Sequence, residues 1–194
     1  VPSLGLDPSV QLRFKGGAQD QKETASFLGK AFLVGLGLIA LILVAEFNSL
    51  FQPLLVLTAV MFSTGGVLLG LMVTGRPFSL VNCGIGTIAL AGIIVNNNIV
   101  LIDTYNKLRE AGMAARDAVL RTCALRLRPV LLTKVVMILG LLPMAMKLNI
   151  DILERKVFFG GPSGQWWAEM ATVIIGGLVF ASILTLVLTP SILM

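Results

Sequence analysis

The chain has 194 residues, 56% of them hydrophobic and 13% charged, and its mean hydropathy of +0.93 places it among integral membrane proteins rather than soluble domains. Its net charge of +5 comes from basic residues near the ends of apolar runs, the pattern that orients a membrane protein and not a nucleic-acid footprint. The absence of histidine excludes a His-based triad or zinc site, and the two cysteines, Cys83 and Cys123, read as free thiols.

Val1 to Ser26 is polar and turn-rich, and within it Val10 to Phe14 alternates apolar and polar residues, which predicts a short strand. So short a strand cannot fold alone, so residues 1–26 are expected to close a larger extramembrane domain lying upstream. The start at Val1 and the stop at Met194, straight after an apolar run, predict a fragment of a longer protein.

Five spans are expected, at about 27–47, 54–73, 80–102, 130–146 and 170–193. Glu46 closes the first, and Pro53 opens the second where a helix tolerates proline. Gly65, Gly66 and Gly70 in the second span, and Gly176 and Gly177 in the fifth, permit close helix contact.

The third span carries GIIVNNNIVLID, Gly92 to Asp103, with Asn96, Asn97 and Asn98 in the middle of a run long enough to cross a bilayer. Hydrocarbon offers no water to an amide, so each asparagine must find a partner in protein or cost free energy. At about 100° per residue, three adjacent side chains cannot share one face. Two readings follow: interhelical hydrogen bonding, or a polar path for ions or protons. On this helix Asn82, Gly86, Ala89, Gly92, Asn96 and Asp103 fall close together, and Val81, Ile85, Ile88, Val95, Ile99 and Ile102 lie elsewhere. The small-and-polar face is expected to meet other helices, and the branched one lipid or apolar protein.

Asp103 to Arg128 is the long charged segment, and an amphipathic surface helix is expected over about 112–127. By the positive-inside rule this segment is cytoplasmic, which puts the N-terminus outside and the C-terminus inside. The fourth span opens at Pro129 and bends near Pro143, and Trp166 and Trp167 fit an interfacial belt. Lys134, within the first turns of that span, either snorkels to the cytoplasmic surface or pairs inside the bundle. Asp103 is expected to be a helix-end charge rather than a proton carrier.

Four stretches in this order, AEFNSLFQP (Ala45 to Pro53), GIIVNNNIVLID, RLRPVLLT (Arg126 to Thr133) and GGPSGQWW (Gly160 to Trp167), resemble the C-terminal membrane half of resistance–nodulation–division (RND) efflux transporters, in particular the hydrophobe/amphiphile efflux branch. The upstream FKGGAQDQKETASFLGKAF is similar to the exit from that family's last periplasmic subdomain. The resemblance covers nearly the whole chain and implies an all-α integral membrane helix bundle of five transmembrane helices, similar to the eighth to twelfth of twelve. A short periplasmic segment with a strand would precede it.

It further implies a multi-pass protein of the bacterial inner membrane, driven by the proton gradient and using no cofactor, and a secondary transporter rather than an enzyme. Its partners would be membrane lipid, the missing N-terminal half of the same transporter, a homotrimer, a periplasmic adaptor and an outer-membrane channel, with no nucleic acid. The family's essential aspartate pair lies on a helix this chain does not contain. Opposite it the best-studied members place a cation on the tenth helix, where this chain has Asn96. That departure implies that Asn96 and Asn97 hydrogen-bond the aspartates in place of an ion pair. Arg126 and Thr133 match the relay arginine and threonine of the eleventh helix, and Lys134 is a candidate for the cation missing at Asn96. The alternatives are a lipid exporter of the wider superfamily, or a structural or export-accessory membrane subunit with the asparagines as packing glue.

Overall fold

In the computed structural model, which describes residues 17–151 and 156–193, the long apolar runs all become helices. They are α1 (Gly17–Phe47), α2 (Phe51–Thr74), α3 (Leu80–Glu110), α4 (Ala115–Ala145) and α5 (Pro162–Leu193). All five contain stretches long and apolar enough to cross a membrane. The short strand expected at Val10 to Phe14 lies outside the described residues.

The turns are closed by backbone chemistry that suits their residues. Gly75 ends α2 in the left-handed region (φ 61°), its N–H donating to the Met72 carbonyl, while the Arg76 N–H donates to that of Leu71. A Cβ would be strained there, which is why helices so often stop on glycine. Gly112 does the same after α3 at φ 85°.

Side chains then fix which ends lie together. Gln52, at the start of α2, and Asn106, late in α3, exchange amide hydrogen bonds of 2.8 and 3.0 Å. At the opposite end the Arg76 guanidinium donates to the Ala145 carbonyl, placing a cation at the C-terminus of α4. The helices therefore run alternately up and down.

One sequence expectation needs correction. The surface helix of about 112–127 and the fourth span are one helix, because α4 continues through Pro129. Proline removes one donor and crowds the carbonyl four residues back, but neighbouring helices can hold both flanking turns helical, as is common in membrane spans. The connection after α4 also holds a two-stranded antiparallel hairpin, β1 (Leu148–Asp151) and β2 (Lys156–Phe159), with Leu148 opposite Phe159.

The core lies where α2, α3 and α5 meet, around Val56, Val60, Leu90, Ile94, Val173 and Leu178. At one crossing main chain meets main chain, glycine against glycine: a Cβ on Gly176 would stand 2.7 Å from the Gly70 Cα and 3.0 Å from the Gly66 carbonyl oxygen. A Cβ on Gly66 would collide with Phe180, and one on Gly177 with Leu90. Helix α1 is the least embedded, with Phe27, Leu33, Leu38 and Leu41 all exposed.

Candidate functional site

Helix α3 touches each of the other four helices, so its surroundings decide where the asparagines point. Asn96 is exposed, Asn97 is 8% exposed and Asn98 is fully buried. The triplet thus divides between the outside and the inside of the bundle, as three consecutive helical positions must.

The expected faces of α3 are corrected in part. Gly86 is buried as expected, but Ala89, Gly92 and Asn96 are exposed; Val95 and Ile102, expected against lipid or apolar protein, are buried in protein at 7% and 0%. The physical reason is that α3 is central: the four helices packed around it cover most of its circumference. They leave one stripe open, through Ile85, Ala89, Gly92, Asn96, Val100 and Asp103, spaced three and four residues apart. Asp103 in this stripe bonds Lys107 at 2.8 Å one turn later, an exposed helix-end pair worth little to stability.

Toward α4 the contacts are polar. Arg126 Nε donates to Thr104 Oγ1 at 2.7 Å, and Thr104 donates in turn to the Val100 carbonyl at 2.9 Å. α3 and α4 are antiparallel, so two turns back along one helix and on along the other bring Asn97 level with Thr133. Thr133 itself is turned outward, and its hydroxyl bonds the Pro129 carbonyl at 2.9 Å. The next residue, Lys134, is buried at 3% exposure and reaches Thr185 Oγ1 on α5 at 3.4 Å. Its ammonium therefore ends between helices and does not snorkel to a surface. Among the described residues, Asn97 Nδ2 and both polar side-chain atoms of Asn98 have no hydrogen-bond partner.

Of the five relay candidates, three are drawn into the bundle: Asn97, Arg126 and Lys134. Asn96 and Thr133 face out of it. Sequence reasoning missed Thr104, although its spacing of two turns from Asn97 was a usable signal. It also missed Thr185, because one of several hydroxyls in an apolar run, each able to bond its own backbone, gives no signal.

The Arg126–Thr104 bond yields a direct expectation. Thr104→Val removes an acceptor from a half-buried guanidinium and should cost about 1.5–3 kcal/mol, the range for hydrogen bonds to charged groups. Thermal unfolding of the full-length protein in detergent measures it, and Thr104→Ser should unfold at the native temperature.

Comparison with known proteins adds the following. The sequence matches the AcrB/AcrD/AcrF family over residues 2–194. Swarming motility protein SwrC of Bacillus subtilis is 33% identical over 98% of this chain and 17% of its own length. Cobalt-zinc-cadmium resistance protein CzcA of Cupriavidus metallidurans is 35% identical over 90% of this chain and 15% of its own, and multidrug resistance protein MdtC of Erwinia tasmaniensis is 31% identical over 98% and 17%. The crystal structure of a heavy metal efflux pump (crystal form II) superposes with a TM-score of 0.76 at 32% identity, covering 97% of this chain and 18% of the pump. The chain thus spans about a sixth of the length of the relatives it matches.

Proposed function

Because the chain belongs to the AcrB/AcrD/AcrF family of RND transporters, we propose that it forms half of the membrane domain of a proton-driven inner-membrane efflux pump. In this reading protons and substrate move in opposite directions, and this half supplies the relay partners of a carboxylate pair on the other half. The termini face as the charge distribution predicts, with the N-terminal segment periplasmic and the C-terminus cytoplasmic. The pump works as a homotrimer with a periplasmic adaptor and an outer-membrane channel.

The observation that carries this proposal is the uncovered stripe of α3, in which Asn96 stands among Ala89 and Gly92. An amide on the outside of a spanning helix is costly against lipid, and the small residues in the two turns before it let another helix come close. A partner helix bearing carboxylates satisfies both features. Protonating such a carboxylate changes what it can accept from Asn96 and Asn97, and so shifts the balance between two helix arrangements. Arg126, Thr133 and Lys134 stand on the adjacent α4 as the further polar groups of the path.

The deciding experiment is drug efflux by cells carrying the full-length protein with Asn96 and Asn97 both changed to Leu. We expect efflux to be lost while the protein assembles at its normal level. Unchanged efflux would reduce both amides to packing and overturn their place in the relay.

The proposed substrates are drugs and other hydrophobic or amphiphilic compounds, by the resemblance of Gly160 to Trp167 to that branch. Export of metal cations is the second reading, favoured by the identity to CzcA and by the match to a heavy metal pump. Growth of expressing cells in ethidium against growth in zinc, cobalt and cadmium salts separates the two.

A further inference from the structure

Helices α3 and α5 run parallel and meet in rungs one turn apart. Asn82 donates to Glu169 at 3.3 Å, a Cβ on Gly86 would stand 3.0 Å from Val173, and Leu90 fills the space beside Gly177. Each of these pairs is offset by 87 residues, and the same offset carried on along both helices sets Ile94 level with Ala181 and Asn98 level with Thr185. All four of those residues are buried, at 2%, 2%, 0% and 8% exposure. Continued by that offset, the ladder sets Asn98 on the level of the hydroxyl that receives the Lys134 ammonium from α4.

The chemistry of the three groups is complementary. Thr185 gives its proton to the Ala181 carbonyl at 2.5 Å, which leaves its lone pairs for Lys134 Nζ. That contact, at 3.4 Å, is long for a charged donor with three protons to place. Asn98 Oδ1 is a buried acceptor with no partner among the described residues. Each group lacks what the other offers, in an interior that has no bulk water to make up the difference.

We propose that Asn98 and Thr185 are positioning residues for Lys134. The three form a node of amide, hydroxyl and ammonium enclosed between α3, α4 and α5, closed by a rotamer change of Asn98 or by one bridging water. The third asparagine is thereby given a role: Asn96 stands on the open stripe, and Asn98 holds the lysine behind it. The consequence for transport rests on the relay proposed above, but the geometry does not.

The geometry is tested in the full-length protein with Cys83 and Cys123 changed to Ala. Asn98→Cys with Thr185→Cys should be joined by a short bifunctional thiol reagent, whereas Ala89→Cys with Thr185→Cys should not, because Ala89 lies on the open stripe. Absence of the first cross-link, read by mass spectrometry, overturns the node. The coupling is tested by thermal stability in detergent. Asn98→Leu should lower the melting temperature by a few degrees in the native background and leave it unmoved in a Lys134→Met background. Equal shifts in both backgrounds mean that Asn98 does not act through Lys134, and also overturn the proposal.

For transport, Thr185→Val should slow efflux by about tenfold, the equivalent of one hydrogen bond, while Thr185→Ser keeps the native rate. Native efflux by the valine variant would show that the hydroxyl positions nothing. If instead Lys134→Met itself transports normally, the relay role of Lys134 falls, and the cross-link and the stability cycle still decide the node on their own.

Discussion

Exchanging Lys134 for Met is expected to leave the full-length protein at least as stable as the native one and to lower efflux by roughly 10²-fold, the scale of a lost proton-transfer group. The two halves of that expectation come from one fact: the ammonium is 3% exposed and its hydrogen-bond partner among the described residues is a neutral hydroxyl. A lysine held inside a spanning bundle without a charged partner costs free energy, though less in the first turns of a span than at its centre. Methionine fills a similar volume without a charge, and replacing buried ionic groups by apolar ones is often stabilising. A residue that weakens the fold and is not needed for transport would be hard to account for. If the proposed relay needs this charge, the cost to the fold has a reason, and the ammonium, enclosed between α3, α4 and α5, acts through the groups around it. Melting temperature and efflux rate, measured on the same preparation, separate the cases. A higher melting temperature with unchanged efflux would remove Lys134 from the relay and leave Arg126, Asn96 and Asn97 to carry it.

The same residue shows where the sequence stops being readable. A lysine in the first turns of a span snorkels or pairs according to which face its helix presents, and this is set by packing rather than by composition. The five spans were legible because hydrocarbon leaves a long apolar run few other ways to satisfy its backbone. Their ends were not, because helical hydrogen bonding continues where the apolar run stops. Charged residues 115–128 extend α4 in this way, and polar residues 17–26 extend α1. The hairpin was illegible for another reason: Leu148–Asp151 and Lys156–Phe159 are four-residue strands, too short to set up an alternating pattern.

The asparagine triplet lies between these extremes. Its chemistry was plain from the chain, since three amides in an apolar run must point in different directions. The assignment of each direction was not, because it depends on α3 being surrounded on all sides but one. The branched residues Val95 and Ile102 were expected against lipid or apolar protein, and they meet protein, since a central helix has apolar protein against most of its surface.

The glycines give the largest expected effect on the fold itself. At Gly70 and Gly176 backbone meets backbone: a Cβ on Gly70 would stand 2.8 Å from the Gly176 Cα, and one on Gly176 would stand 2.7 Å from the Gly70 Cα. Real Cβ atoms do not tolerate such distances, and no rotamer relieves them because the obstacle is main chain. In a bilayer, helices associate largely through the close packing that small residues allow, so separating them forfeits most of the α2–α5 attraction. Gly176→Ala should cost about 1–3 kcal/mol, as overpacking commonly does. Gly176→Leu is expected to prevent α2 and α5 from docking, leaving little folded protein in detergent gel filtration. The contrast is Gly65, five residues before Gly70 on the same helix, where an added Cβ meets nothing within 4 Å. There alanine should be neutral or should stabilise by up to about 1 kcal/mol through helix propensity. If Gly176→Leu elutes as the native protein does while Gly65→Ala is the variant that fails, the glycine crossing is not what holds the two helices together. The converse result would establish the crossing of Gly70 and Gly176 as what joins α2 and α5 into the pair on which α3 packs.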